Sequence, residues 1–385
     1  GAKLVEIAET DGADAIVHDL GPHFDEGPTT AARARFFGMM GAAISDDWAE
    51  IGDLNMGATL TFGFPHVGGS SDEWFLSDFL VVWMMNPSVT QMPDAHFLHE
   101  ARYHGSELVV VDPQYSATAM HADQWLPLRT GTDAALALAT ARHVWGSGRI
   151  DLPYVREQTD LPILVRLDTG RFLRESDLRE NGSEELFYFR DGATDRLAEV
   201  PGCAGEGGNS LALGARRPAL TGRREVRLHG GTSVGVRPLL DVLRNHLDRE
   251  YTPEQSADLT RVGAKTIRQI ARELAAAPRA MIHPGVGSCK YYHGDLMLRS
   301  QILLMVLTGN QGKSGGGLRI ASWWPVEGFR QLSNPDKGSR VPWATRLRLL
   351  YMALMPRSLG GGIGWRDFEQ LMQDVSQLTG YTPLM

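Results

Sequence analysis

Residues 51–63 read "IGDLNMGATLTFG", and Asp53 is the one ionisable side chain in this small, apolar stretch. Burying an isolated carboxylate costs several kcal/mol unless a partner charge, hydrogen bonds or a metal compensates it. A surface turn or a helix cap is the simpler interpretation, because Gly-Asp pairs favour both. The stretch alone therefore leaves a turn and a metal ligand open.

Two further residues with useful chemistry, Lys290 and His293, lie among the glycines of "GVGSCKYYHG". With Asp53 they form the one group of interest, since other local motifs fail. "TGNQGKSGGG" is no phosphate loop, because Leu307 stands where its first glycine belongs. "GVGSCK" has Lys290 in place of the third glycine of a dinucleotide fingerprint. Neither H-E-x-x-H nor G-x-S-x-G occurs, which argues against a zinc peptidase and a serine hydrolase.

Polar side chains follow two predicted strands. "LSDFLVVWMMN" (76–86) and "ELVVVDP" (107–113) are typical of buried strands, and the amphipathic segment "PDAHFLHEARYHG" between them predicts a helix. Such a βαβ unit has parallel strands, and ligands bind beyond their carboxyl ends. Asn86 and Asp112 fall at those ends and are candidate ligand-binding residues.

The rest of the sequence alternates between regular and irregular segments. "WLPL" (125–128) leads into a helix that Thr132 or Asp133 can cap, and an anion or nucleotide could bind at that helix start. Residues 151–235 predict an irregular, partly β segment, whereas 251–278 predict two helices. "RAMIHPGVGS" predicts a strand and a turn, followed by a buried helix that ends at the glycines of 309–317.

Composition limits the class of protein. The 385 residues are 43% hydrophobic and 22% charged, which is ordinary for a globular chain. A net charge of −8 without a basic block argues against nucleic acid as a partner. Cys203 and Cys289 are too few for an iron–sulfur cluster or a four-thiolate zinc site. The apolar runs are too short to span a bilayer, so no membrane insertion is expected.

Two long blocks in the same order resemble the molybdopterin oxidoreductases of the dimethyl-sulfoxide-reductase family. Residues 86–139, from "NPSVTQMPDAHF" to "RTGTDAALALA", resemble the pterin-binding signature, and 285–318 resemble the later glycine-rich block. The spacing of Asp53 from Asn86 is similar to that of the subgroup whose molybdenum is bound by aspartate. The implied fold is an α/β catalytic-subunit core with parallel-sheet nucleotide-binding lobes. The family's amino-terminal cluster motif and carboxy-terminal domain are missing, so the chain is expected to be a central fragment.

The resemblance implies a molybdenum bis-molybdopterin guanine dinucleotide cofactor. It makes Asp53 the metal ligand, and Lys290, His23 and Asp53 the catalytic residues. One dinucleotide is expected to touch a set that follows the strands: Asn86, Asp112, Pro113, Arg129, Gly131, Thr132 and Asp133. The other is expected at Gly285, Gly287, His293 and the glycines of 309–317.

The blocks look most similar to the catalytic subunits of ethylbenzene dehydrogenase and steroid C25 dehydrogenase. This resemblance implies that a C–H bond in a hydrocarbon or a steroid side chain is hydroxylated with water, against an aromatic wall of Phe62, Phe64, Trp74 and Trp83. The alternatives are a reductase of nitrate, selenate, chlorate, perchlorate or a sulfoxide, a dimethyl sulfide dehydrogenase, or a binding module without catalysis. Fold cannot separate these activities.

The resemblance also implies partner subunits and a cellular location. An iron–sulfur subunit and a haem b subunit are expected as partners, with a small apolar molecule as substrate. An iron–sulfur cluster of this subunit is expected only from the missing amino-terminal part, and the periplasm is the expected location. Five segments are expected along the sequence. Residues 1–75 form a molybdenum-site segment, 76–150 a dinucleotide-binding lobe and 151–250 an irregular segment. Residues 251–330 form a helical pair with the second pterin-binding segment, and 331–385 form an extension.

Overall fold

The computed structural model describes residues 1–18, 36–44, 55–63, 69, 71–200 and 213–320. The chain divides into two compact units, one made of 1–54 with 323–385 and one made of 55–322. In the described part of the first unit, helix α1 spans Ala2–Thr10. Strand β1 (Val17–His18) pairs in parallel with β2 (Ala43–Ile44).

The second unit opens with three parallel strands, β3 (Phe79–Trp83), β4 (Glu107–Val111) and β5 (Gln124–Leu126). Helix α2 (Met56–Phe62) precedes β3, and α3 (Pro87–Thr90) and α4 (Met92–Tyr103) lie between β3 and β4. Helix α5 (Asp133–Gly146) follows β5. All of β3 is buried, which explains its unbroken apolar sequence, because a central parallel strand is covered on both faces.

Residues 152–250 carry a smaller layer with its own apolar core. Its helices are α6 (Leu152–Gln158), α7 (Glu175–Leu178) and α8 (Leu239–Glu250). Its strands are β6 (Leu164–Arg166), β7 (Tyr188–Arg190), β8 (Leu197–Glu199), β9 (Arg224–Arg227) and β10 (Ser233–Pro238). Strands β6, β10 and β9 form an antiparallel sheet, and β7 pairs with β8.

The polypeptide then returns to the parallel sheet. Helix α9 (Pro253–Thr260) begins with a capping box between Thr252 and Gln255. Helix α10 (Ala264–Ala276) leads into β11 (Ala280–Pro284), a 3-10 helix (Val286–Lys290), α11 (Gly294–Leu307) and β12 (Gly317–Leu318). These are the helices, strand and turn that the sequence predicts for this region.

The order of the parallel sheet is β12-β11-β3-β4-β5. From β3 the polypeptide adds β4 and β5 on one side, and it later adds β11 and β12 on the other. The strand order therefore reverses between β3 and β11. In open α/β sheets, ligands bind at the carboxyl ends of the strands beside such a reversal.

The loop between α11 and β12, residues 308–316, lies at the opposite, amino edge of the sheet. Gly317 pairs with Met281 near the start of β11, and Asn310 Oδ1 accepts a hydrogen bond of 3.0 Å from the Ala280 N–H. Across the described ranges, no helix is both long and apolar enough to cross a membrane.

Candidate functional site

The carboxyl edge of the parallel sheet collects most of the predicted cofactor residues. Asn86 follows β3, Asp112 and Pro113 follow β4, and Gly285 follows β11. The loop after β5 carries Arg129, Gly131 and Thr132 and ends where Asp133 begins α5. The parallel register thus brings together segments that are far apart in sequence, although their binding roles remain predictions.

Asn86 is held by a buried threonine. Its side-chain oxygen Oδ1 accepts hydrogen bonds from the Thr118 hydroxyl at 2.7 Å and from the Thr118 N–H at 3.1 Å. The same hydroxyl oxygen accepts a 3.1 Å hydrogen bond from the Ser88 N–H. Thr118 therefore joins the loop after β3 to the segment after β4, and its hydrogen bonds fix the orientation of the Asn86 side chain.

Asp112 is turned back on its own segment. Its Oδ1 accepts a 2.9 Å hydrogen bond from the Gln114 N–H, and its backbone oxygen accepts one of 2.9 Å from the Trp125 indole. These contacts fix the Asp112 carboxylate just after β4, and the hydrogen bond to Gln114 uses Oδ1 and not Oδ2. Pro113, the next residue, is exposed.

An open groove of about 390 Å³ lies beside these residues. Its lining comes from the loops after β4 and β5 and from the end of α9: Pro113, Pro127, Leu128, Arg129, Thr130 and Arg261. The Arg129 N–H donates a 2.9 Å hydrogen bond to the Thr260 oxygen, which ties the β5 loop to α9. The groove thus has two guanidinium groups and no acidic lining residue, a composition suited to an anion.

Asp133 lies inside the fold and not on the groove surface. It is 1% exposed, and its Oδ1 accepts a 2.7 Å hydrogen bond from the Trp83 indole. Oδ2 is buried without a hydrogen-bond partner in the described part of the protein. Burial raises the pKa of Asp133, and the Trp83 hydrogen bond opposes that rise. The hydrogen bond between Trp83 and Asp133 joins the end of β3 to the start of α5.

The residues after β11 differ in their surroundings. Gly285 is buried, and a Cβ there would stand 2.0 Å from the Met84 oxygen, so its small size serves backbone packing. A Cβ on Gly287 would meet nothing within 4 Å. Lys290 is exposed at the end of the 3-10 helix, and His293 is exposed with a left-handed φ of 59° just before α11.

The glycines of 309–317 do not lie at the carboxyl edge, and their approach to a dinucleotide stays a prediction. Their loop is at the amino edge, where they fit against the protein itself. A Cβ on Gly309 would stand 2.3 Å from Asp151 Oδ2, and one on Gly315 would stand 2.6 Å from the Leu76 backbone.

The expected aromatic wall and the expected molybdenum-site residues have different outcomes. Trp74 is 1% exposed and Trp83 is 4% exposed, so both belong to the core and do not form a substrate wall. Asp53 and His23, like Phe64, lie outside the described residues. Within the described ranges, no group of three or more His, Cys, Asp or Glu side chains could hold a metal.

Comparisons with known proteins identify the family. The model of the molybdopterin oxidoreductase family matches residues 29–342. The perchlorate reductase alpha subunit of Dechloromonas aromatica is 37% identical over 80% of this chain and 36% of its own length. The dimethylsulfide dehydrogenase alpha subunit of Rhodovulum sulfidophilum is 35% identical over 82% and 34%. The respiratory nitrate reductase alpha subunit of Haloferax mediterranei is 35% identical over 86% and 36%.

The chain belongs to the molybdopterin oxidoreductase family, and its parallel α/β core is the fold that the sequence predicts. It spans about a third of the length of the curated relatives it matches. Those relatives act on oxyanions or dimethyl sulfide by name, so they support the alternative activities better than the hydrocarbon hydroxylase. The expectation that the chain is most similar to ethylbenzene dehydrogenase is therefore wrong.

The residues at the carboxyl edge have the chemistry to hold a phosphate-bearing cofactor, and molybdopterin is one. The groove offers guanidinium groups for phosphate, and Asp112 and Asn86 stand at strand ends nearby. Three contributors were missed from the sequence: Arg261, Thr118 and the Trp83 indole. A capping box at Thr252 predicts where α9 begins, but nothing in the sequence indicates that its far end reaches the β5 loop.

Proposed function

We propose that this chain is the central part of the catalytic subunit of a molybdenum oxyanion reductase, with perchlorate, nitrate or a similar oxyanion as substrate. The observation that carries the proposal is the match to alpha subunits of perchlorate and nitrate reductases over most of this chain, at 37% and 35% identity. Because the fold is shared across activities, these relatives weigh more than the sheet topology.

The core positions of Trp74 and Trp83 support the same choice. The case for a hydrocarbon substrate used both residues as an apolar wall, and neither is available to a substrate in the described structure. An oxyanion instead favours positively charged and hydrogen-bonding groups near the reacting atoms. Lys290, exposed beyond the carboxyl end of β11, is our candidate for that positive charge.

The proposed cofactor is a molybdenum bis-molybdopterin guanine dinucleotide. When bound, it supplies the two-electron chemistry by which an oxygen atom is removed from the substrate. Asp53 is the proposed metal ligand, and Lys290 and His23 are the proposed residues beside the substrate. Asn86, Asp112 and Arg129 are proposed to bind and orient one nucleotide tail. The side chains of this subunit thereby position both cofactor and substrate.

The proposed partners complete electron transfer. Cys203 and Cys289 are too few to build an iron–sulfur cluster, so electrons must enter through other protein parts. We propose an iron–sulfur subunit and a haem b subunit for this purpose, in the periplasm. The matched relatives are named as alpha subunits, which is consistent with a multi-subunit enzyme.

Substrate assays of the complete enzyme test the proposal. The full catalytic subunit, produced with its partner subunits, is given a reduced viologen dye with perchlorate, chlorate, nitrate or selenate in turn. We expect rapid dye oxidation with at least one oxyanion, at a rate that follows molybdenum content. Hydroxylation of ethylbenzene or cholest-4-en-3-one without oxyanion reduction would restore the hydroxylase interpretation.

A second candidate is oxidation of dimethyl sulfide, which the 35% identity to a dimethylsulfide dehydrogenase favours. In that reaction water supplies the oxygen and releases two protons, and two electrons leave the sulfur of dimethyl sulfide. The same enzyme preparation is assayed with dimethyl sulfide and an oxidised dye. Oxidation of dimethyl sulfide without turnover of any oxyanion would establish this candidate in place of the first.

A further inference from the structure

We propose that Arg261 is a second phosphate-binding residue, which acts with Arg129 on the diphosphate of a guanine nucleotide in the groove. The two arginines come from separate elements, the end of α9 and the loop after β5, and both line the groove. The inference rests on the proposed guanine dinucleotide cofactor. It assigns a role to a residue that the sequence did not indicate.

The residues that line the groove carry positive charge. All six lining residues are apolar, polar or positively charged: Pro113, Pro127, Leu128, Arg129, Thr130 and Arg261. Neither guanidinium makes a hydrogen bond or ion pair with another residue of the described structure. Both arginines are exposed, so water screens their mutual repulsion, and an anion bound between them would add a favourable interaction with each. A diphosphate matches them in charge and can accept two parallel hydrogen bonds from each.

The backbone of Arg261 has a conformation that is unusual for a residue with a side chain. Arg261 ends α9 in a left-handed conformation, with φ 66° and ψ 8°. Helices that end this way commonly place glycine there, because side chains with a Cβ are strained in this region. An arginine at such a position retains strain that glycine would relieve. Strain of this kind clusters at ligand sites, and Arg261 is one of the residues that line the groove.

Local dipoles add to the positive potential. Helix α10 begins at Ala264, three residues after Arg261, and has no acidic residue in its first turn. The amino end of a helix carries a partial positive charge that favours anions. The anchor between the Arg129 N–H and the Thr260 oxygen keeps the two arginine-bearing segments together. The groove is therefore preorganised before any nucleotide binds.

Calorimetric titration of the full, cofactor-free protein with GDP and with guanosine tests the proposal. We expect the unaltered protein to bind GDP more tightly than guanosine, because only GDP has the diphosphate. Arg261→Gly should weaken GDP binding about tenfold or more, the usual effect of losing a charged hydrogen bond, and leave guanosine binding unchanged. Arg261→Lys, which keeps the charge, should recover part of the loss.

Arg261→Gly also separates binding from folding. Because glycine relieves the left-handed strain, this variant should unfold at the same temperature as the unaltered protein or higher. Two controls match it. Asn181→Gly relieves a left-handed residue (φ 62°) in the smaller layer, and Arg149→Ala removes an exposed arginine near the amino edge. Both should bind GDP normally.

Two results would overturn the proposal. One is normal GDP affinity in Arg261→Gly. If Arg129→Ala loses affinity at the same time, the groove binds the nucleotide without help from Arg261. The other is an unaltered protein that does not bind GDP or binds guanosine equally well. The titration contains neither oxyanion nor electron donor, so it is independent of the reductase assay, and either proposal can fail alone.

Discussion

Gly285 and Met84 meet across the reversal of the parallel sheet. The Gly285 N–H donates a 2.8 Å hydrogen bond to the Trp83 oxygen, and a Cβ on Gly285 would stand 2.0 Å from the Met84 oxygen. Met84 itself has a left-handed φ of 54°. The segments after β3 and β11 are thus in backbone contact at the place where the fold favours a ligand.

Gly285→Ala should disrupt this contact. The added methyl group overlaps the Met84 oxygen, so the backbone after β3 or β11 must move, and we expect a loss of about 1 to 3 kcal/mol in the free energy of unfolding. Urea unfolding measures this loss. Gly287→Ala is the matched control, because its Cβ meets no atom within 4 Å and should change stability by about 0.5 kcal/mol or less. Equal stability of the two variants would contradict the contact.

Thr118→Val should loosen Asn86. The substitution keeps the shape of the buried side chain but removes the hydroxyl that donates to Asn86 and accepts from the Ser88 N–H. We expect unfolding to become easier by about 1 to 3 kcal/mol and guanine nucleotide content of the enzyme to fall. Thr90→Val removes an exposed hydroxyl that donates to the backbone oxygen of Asn86 and not to its side chain, so it should have little effect. If both variants behave alike, Thr118 does not anchor the site.

Asp133→Asn should remove a pH dependence of stability. Because burial raises the pKa of Asp133, the folded protein holds this proton over a pH interval in which the unfolded protein has already released it. The free energy of unfolding of the unaltered protein therefore falls as pH rises through that interval. An asparagine amide cannot ionise, so the variant should lack this fall.

Unfolding in urea between about pH 4 and pH 8 compares the two proteins. The stability of Asp133→Asn relative to the unaltered protein should increase steadily with pH. The Trp83 indole retains an oxygen acceptor in the variant, so loss of that hydrogen bond does not confuse the comparison. A difference that does not change with pH would show that the pKa of Asp133 is not raised in the folded protein.

Lys290→Ala should reduce catalysis more than cofactor binding. If Lys290 stabilises negative charge on the reacting oxyanion, its loss should lower turnover about a hundredfold, with molybdenum content retained. Metal analysis and viologen-coupled turnover of the same preparation measure both quantities. Lys313→Ala removes an exposed lysine of the amino-edge loop and should keep full turnover. Unchanged turnover in Lys290→Ala would make Lys290 a structural residue.

The sequence predicted the parallel core well because its signals are local and strong. β3 is an unbroken apolar run, and β4 is apolar after its first residue, Glu107. The helices from α9 onwards have clear starts at Thr252 and Gly263. The carboxyl-edge positions of Asn86 and Asp112 follow directly from the end of each strand. The helix α8 was not predicted, because it lies within a stretch that otherwise lacks regular periodicity.

Contacts between distant segments limited the site prediction. Gly285 and Gly315 look alike in sequence, yet one lies at the carboxyl edge and the other at the amino edge, since α11 runs between them. Asp133 is a plausible ligand residue by position, but the Trp83 indole, 50 residues earlier, occupies one of its oxygens. Only the three-dimensional fold shows these partners.

The pairing of β3 with β11 has a consequence for synthesis of the protein. A ribosome produces β3 and β4 long before Ala280 emerges, so one edge of β3 has no partner during that time. An unpaired apolar edge is prone to pairing with other polypeptides. If the proposed cofactor binds at the reversal, its loading must wait for β11 and follows translation of this region. A polypeptide truncated before residue 280 should therefore depend on chaperones and remain free of pterin.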